Sequence, residues 1–140
     1  MNRFVIDASI VLKWIPAGGE LGVEFADEIY QKIKDGVISV SAPSFLLVEV
    51  TNVLLRKKNF SKSEVGEFLE KIQNCGISFL DFSYLKTGAL VNLTAERGVS
   101  AYDGIYLLLA VEMECKLISD DAKLKEISDL VVGLEKVLPF

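Results

Sequence analysis

The chain has 140 residues, a formal net charge of −5, no histidine and a mean hydropathy of +0.37. That length suits one domain with a real core, and the lack of histidine excludes imidazole acid–base chemistry and His-ligated metals. No apolar run approaches the roughly 20 residues of a spanning helix, Asp7 interrupts the stretch where a signal peptide would need continuity, and the acidic balance argues against broad electrostatic binding of nucleic acid.

Short apolar runs alternate with helical patterns along the chain. Arg3–Ile6 reads as a first strand and Ala8–Trp14 as a short helix. Glu20–Lys34 places Leu21, Phe25, Ile29 and Ile33 at helical spacing. Val37–Ala42 is a second strand stopped by Pro43, and Ser44–Lys57 is a helix. Ser61-Lys62-Ser63-Glu64 fits a capping box, opening a helix with Val65, Phe68, Leu69 and Ile72 inward, ended by Gly76. Ile77–Phe82 is a third strand, and Tyr84–Arg97 a helix ended by Gly98. Tyr102–Glu114 is apolar nearly all round and so a central helix. Lys116–Ser119 is a fourth strand, Ala122–Ile127 a short helix, and Val131–Leu138 a candidate fifth strand. Strands alternating with helices predict a parallel sheet covered on both faces, in one α/β domain spanning 1–140. Cys75 and Cys115 form no CxxC and read as free thiols, which fits a reduced, cytoplasmic setting.

Four apolar segments each deliver an acid: Val5-Ile6-Asp7-Ala8-Ser9, Leu46-Leu47-Val48-Glu49-Val50-Thr51-Asn52, Ala101-Tyr102-Asp103-Gly104-Ile105-Tyr106 and Leu117-Ile118-Ser119-Asp120-Asp121. A carboxylate at the end of a buried element is costly without a partner. In parallel sheets, sites form beyond the carboxyl ends of the strands. Asp7 follows the first strand, Asp120 and Asp121 follow the fourth, and Asp103 lies in a first helical turn, where amide dipoles favour an anion. Clustered carboxylates repel, and all-oxygen ligation selects Mg²⁺ or Mn²⁺. Two such ions would bring the net charge from −5 to −1. Each acid also has a plainer reading. Asp7 is a possible helix cap, Glu49 a partner for Arg56, Asp103 a first-turn helix acid, and Asp120 and Asp121 turn or cap residues.

In order and spacing, the four segments resemble the PIN-domain nucleases, and most closely the VapC toxins of toxin–antitoxin pairs. The family's hydrophobic-Asp-x-Ser is met at Asp7 and Ser9, its Glu-x-x-Asn at Glu49 and Asn52, its Tyr-Asp-small-x-Tyr at Tyr102 to Tyr106, and its hydrophobic-x-Thr-x-Asp at Leu117 to Asp121, with Ser119 for threonine. The resemblance implies a strand order 3-2-1-4-5 and a Mg²⁺- or Mn²⁺-dependent endoribonuclease leaving 5′-phosphate and 3′-hydroxyl ends. Asp7, Glu49, Asp103 and Asp121 would be the metal-binding acids, with Asp120 the alternative fourth. Ser9, Ser119 and Asn52 would support them. It also implies a homodimer and a small antitoxin partner. Arg56, Lys57 and Lys58 are candidates for RNA phosphates, although a basic helix C-terminus also suits the dipole. Tyr102, Tyr106 and Trp14 are candidates for base stacking or for packing. The alternatives are a non-catalytic PIN-like module that binds RNA or protein, and an rRNA-processing nuclease. A phospho-acceptor receiver domain is disfavoured because Ile6-Asp7-Ala8 lacks the acidic pair.

Overall fold

A computed structural model describes residues 2–15 and 23–137. β1 (Asn2–Ile6) carries the fully buried Val5 and Ile6. Asp7 caps α1 (Ala8–Val11), which tightens into a 3₁₀ turn at Leu12–Trp14. Trp14 is buried, and its Nε1 donates to the Ala26 carbonyl at 2.7 Å on α2 (Val23–Lys34). β2 (Ile38–Pro43) leads into α3 (Phe45–Asn52), which continues as a π-helical turn at Val53–Lys57. The Lys58 amide closes that wide turn on the Val53 carbonyl at 3.0 Å, and Asn59 ends it in the left-handed region (φ 55°), where asparagine is tolerated. α4 (Lys62–Gln73) opens with both arms of a Ser61–Glu64 capping box, at 2.9 and 3.1 Å.

β3 (Ser78–Leu80) is followed by a 3₁₀ turn at Tyr84–Lys86 and by α5 (Thr87–Arg97). Gly98 terminates α5 at φ 66°, a conformation that suits a residue without Cβ. α6 (Ala101–Glu112), β4 (Lys116–Ile118), α7 (Ala122–Ile127), β5 (Val131–Val132) and α8 (Leu134–Val137) complete the order. The five strands form one parallel sheet, β3-β2-β1-β4-β5. α6 lies against β1, β2 and β4, and buries Tyr106, Leu107, Leu108 and Ala110. α5 packs on α6 closely at Gly104, where an added Cβ would meet Leu90 Cδ1 and Thr94 Oγ1, each at 3.0 Å. No described helix is long and apolar enough to cross a membrane.

Three expectations need correction. Phe25 is 41 % exposed; the inward stripe of α2 is Ala26, Ile29 and Ile33. The expected Leu21 and Glu20 lie outside the described residues. The fifth strand pairs only at Val131–Val132, and the chain then turns into α8 instead of extending to Leu138, which is also outside the described residues. The third strand is short, Ser78–Leu80, because only these residues pair with β2, at the sheet's edge.

Candidate active site

Ile6 stands in register with Ile118, so β1 and β4 end side by side, and the chain leaves each through an acid. Asp7 is buried. Its Oδ1 accepts from the Ser9 amide at 3.1 Å and from the Ser9 hydroxyl at 2.6 Å, and the Ser119 hydroxyl also bonds its carboxyl. These donors are neutral, so burial dominates and pushes Asp7 up to about 6 from 3.8, with the two serine hydroxyls acting in the opposite direction. Each serine has a second task. Ser9 Oγ accepts from the Asp120 amide at 3.2 Å, and Ser119 Oγ from the Asp121 amide at 3.1 Å. The two hydroxyls therefore stitch the loop after β4 onto the acid after β1.

α3 starts just beyond the end of β2 and carries Glu49 in its second turn. The Tyr106 hydroxyl, buried on α6, donates to Glu49 Oε1. Burial raises the Glu49 carboxyl, the Tyr106 bond opposes that, and the negative charge of Asp103 adds to it. Asp103 sits in the first turn of α6, where the N-cap Ser100 Oγ accepts from the Asp103 amide at 3.1 Å. Burial and then repulsion from Asp121 raise Asp103, against a Ser100 hydrogen bond and the charge of Lys123. The Tyr106 phenol is raised by burial, by its bond to Glu49, and by the fields of Glu49, Asp7 and Asp103. Asp7, Glu49, Asp103 and Asp121 thus share one electrostatic neighbourhood at the carboxyl edge of the sheet.

The arrangement is not a closed metal cage. Among the described residues, no three Asp, Glu or Cys side chains stand close enough to hold an ion as placed. Asp121 Oδ1 caps α7 by accepting from the Lys123 and Leu124 amides, at 2.9 and 3.1 Å. Asp120 is the less suitable of the two adjacent acids, because its Oδ2 pairs with Lys13 Nζ at 3.2 Å. The donor chemistry does fit a hard divalent cation: carboxylates and hydroxyls, with Asp7 buried among neutral donors only.

Asn52 lies one turn after Glu49 on the regular part of α3, whereas Arg56 falls in the π-helical turn that follows. Both line a shallow groove with Leu47, Val48, Thr51 and Leu55. The π-helical turn after Asn52 breaks the seven-residue spacing on which a shared helix face depends. Arg56, Lys57 and Lys58 are exposed at the far end of that turn. Trp14 and Tyr106 are buried, whereas Tyr102 is exposed and stacks on Phe45. Sequence reasoning missed the Tyr106–Glu49 bond and the Lys13–Asp120 pair. The Glu-x-x-Asn and Tyr-Asp-x-x-Tyr segments identify each group, but nothing in them says that residues 57 positions apart meet.

A family model described as PIN domain matches residues 4–130. Two solved structures share the fold. PAE2754 from Pyrobaculum aerophilum is 18% identical with a TM-score of 0.71, over 98% of this chain and 93% of that one. VapBC2 from Rickettsia felis, bound to a DNA fragment from their promoter, is 15% identical with a TM-score of 0.71, over 94% of this chain and 98% of that one. No curated relative matches the chain.

Proposed function

The chain belongs to the PIN-domain family, and from that premise we propose that it is a Mg²⁺- or Mn²⁺-dependent endoribonuclease, the toxin of a VapBC-type pair. The observation that carries this reading is Asp7: a buried carboxyl at the central strand's end, raised to about 6, with Glu49, Asp103 and Asp121 converging on the same edge from three other elements. Such acids stay charged at neutral pH most readily when they hold a cation. Asp7, Glu49, Asp103 and Asp121 would hold it. A bound divalent ion supplies a water of lowered pKa and offsets charge on the phosphoryl oxygens. The chain's own residues orient the ligands. Ser9 and Ser119 fix Asp7, Tyr106 fixes one oxygen of Glu49, and Lys13 holds Asp120 aside.

A groove of about 590 Å³, lined by Ile15, Leu54, Phe60, Val65 and Phe68, suits an apolar antitoxin helix. Tyr84 and Leu85, 81% and 79% exposed, with Val91 on α5, suit a homodimer contact. RNA, antitoxin and a second copy are the partners of this reading, in the cytoplasm, where an active ribonuclease needs an inhibitor.

The test is RNA cleavage with Mg²⁺ or Mn²⁺ against chelator, by the wild type and Asp7→Asn. The expected result is cleavage that requires the ion and falls at least about 100-fold in the folded variant, beyond the usual loss from removing an outer partner of a ligand. Full activity in Asp7→Asn would refute it. The engaged state of Glu49, Asp120 and Asp121 favours one second reading, a non-catalytic module. Absence of Mn²⁺ binding at millimolar ion would select that one.

A further inference from the structure

We propose that Phe45 and Tyr102 form a stacking platform that seats one unpaired RNA base beside the acids; this rests on the ribonuclease reading above. The two rings are parallel within 8°, with centroids 5.5 Å apart. Phe45 is half-buried against the core and anchors the pair from below. Tyr102 is 62% exposed. A tyrosine with one face on a seated phenylalanine pays little further ordering entropy when a base covers its other face.

Position in the chain ties the platform to the acids. Tyr102 directly precedes Asp103, and Phe45 lies one helical turn before Glu49. The two helices that carry two of the acids therefore also carry the two rings. Of the three aromatic residues that the sequence offers for stacking, Trp14 is buried with its Nε1 committed to Ala26, and Tyr106 is buried with its hydroxyl committed to Glu49. Only Tyr102 is left for a ligand.

Charge makes such a platform necessary. The chain is acidic, at −5, and its basic run Arg56, Lys57 and Lys58 stands exposed at the end of the π-helical turn. Phosphate contacts alone give weak affinity here, and a base stacked on an aromatic ring supplies attraction that salt does not screen. A base in a duplex has both faces covered and cannot use the platform, whereas an unpaired one can.

The experiment compares wild type, Tyr102→Ala, Tyr102→Phe and Tyr102→Trp on an unpaired oligoribonucleotide and on the same sequence closed in a hairpin stem. Tyr102→Ala is expected to raise KM about 5- to 150-fold, the range of one base–aromatic stack, with kcat changed much less. Tyr102→Phe and Tyr102→Trp are expected to restore KM, and the stem to be a poor substrate for every form. A readout free of turnover uses Tyr102→Trp in the Asp7→Asn background. The unpaired oligoribonucleotide is expected to quench the new exposed indole, while an abasic sugar-phosphate strand of equal length does not. Unchanged KM in Tyr102→Ala with RNA still cleaved overturns the platform and leaves the ribonuclease reading standing. Equal quenching by the abasic strand, or loss of a dimer in sedimentation of Tyr102→Ala, also overturns it, the latter assigning the ring to a second copy. If the wild type neither cleaves nor binds RNA, both readings fall together.

Discussion

Replacing Asp7 by asparagine in metal-free protein should stabilise the fold, and the gain should depend on pH. The Asp7 carboxyl titrates near 6 when folded against an ordinary value of 3.8. Its folded pKa is raised, so the native state holds the proton more tightly than the unfolded chain. Between about pH 4 and 6 the native state binds more protons, and stability falls as pH rises. Above about pH 6 the full deficit is present; below about pH 4 it is gone. The rise from 3.8 to about 6 corresponds to about 3 kcal/mol at neutral pH. Asparagine keeps an oxygen for the Ser9 amide and hydroxyl, and carries no charge. With some relaxation of the site, the variant should be more stable at pH 7 by about 2 kcal/mol, a rise in Tm of roughly 5–8 °C for a chain of this size. At pH 3.5 the two proteins should melt together. The assay is thermal unfolding in chelator from pH 3.5 to 8, read as the difference between variant and wild type, because Glu49 and Asp103 share the same sign and remain in both. A difference that is flat with pH, or a variant less stable at pH 7 than the wild type, would refute the reasoning.

Millimolar Mn²⁺ should stabilise the wild type, by about 2.7 kcal/mol when the ion stands at 100 times its Kd, and raise its Tm in differential scanning calorimetry more than that of Asp103→Asn. Tyr106→Phe should weaken Mn²⁺ binding about 10-fold in calorimetric titration, because Glu49 loses the donor that fixes Oε1. Gly104→Ala should destabilise by about 1 kcal/mol in denaturant unfolding, since the methyl must enter contacts at 3.0 Å that outweigh its gain in helix propensity. Thr94→Val should stabilise by about 1 kcal/mol in the same assay, because the Thr94 hydroxyl is buried without a hydrogen-bond partner.

Local signals in the sequence carried much of this architecture. The Ser61–Glu64 capping box and the Gly98 stop need only neighbouring residues to work, and both stand where the pattern puts them. The parallel sheet is legible because β-rich runs alternate with helices, a pattern few other arrangements satisfy. The face of α2 was misjudged because Phe25, Ile29 and Ile33 fit helical spacing as well as Ala26, Ile29 and Ile33, and hydrophobicity favours the larger ring at the boundary. The π-helical turn at Val53–Lys57 is invisible to a fixed period of 3.6, which reads Ser44–Lys57 as one regular helix. At the candidate site, the positions of Asp7 and Asp121 at the ends of two strands follow from strand boundaries alone. The engagements of Glu49 with Tyr106 and of Asp120 with Lys13 join residues distant in the chain, and no local spacing encodes them.

The tie between Trp14 and Ala26 gives the protein a spectroscopic sensor of its own. Trp14 is the chain's single tryptophan, buried, and tilted against Tyr30 with ring centroids 5.1 Å apart. Its next neighbour in the chain, Ile15, lines the 590 Å³ groove that also takes in Phe60, Val65 and Phe68. Tyr30 in turn lies under the ammonium of Lys71, a residue of that same groove. A ligand that moves Ile15 or Lys71 reaches the indole through its chain neighbour or through Tyr30. Emission from one native fluorophore therefore reports occupancy of that surface without a label.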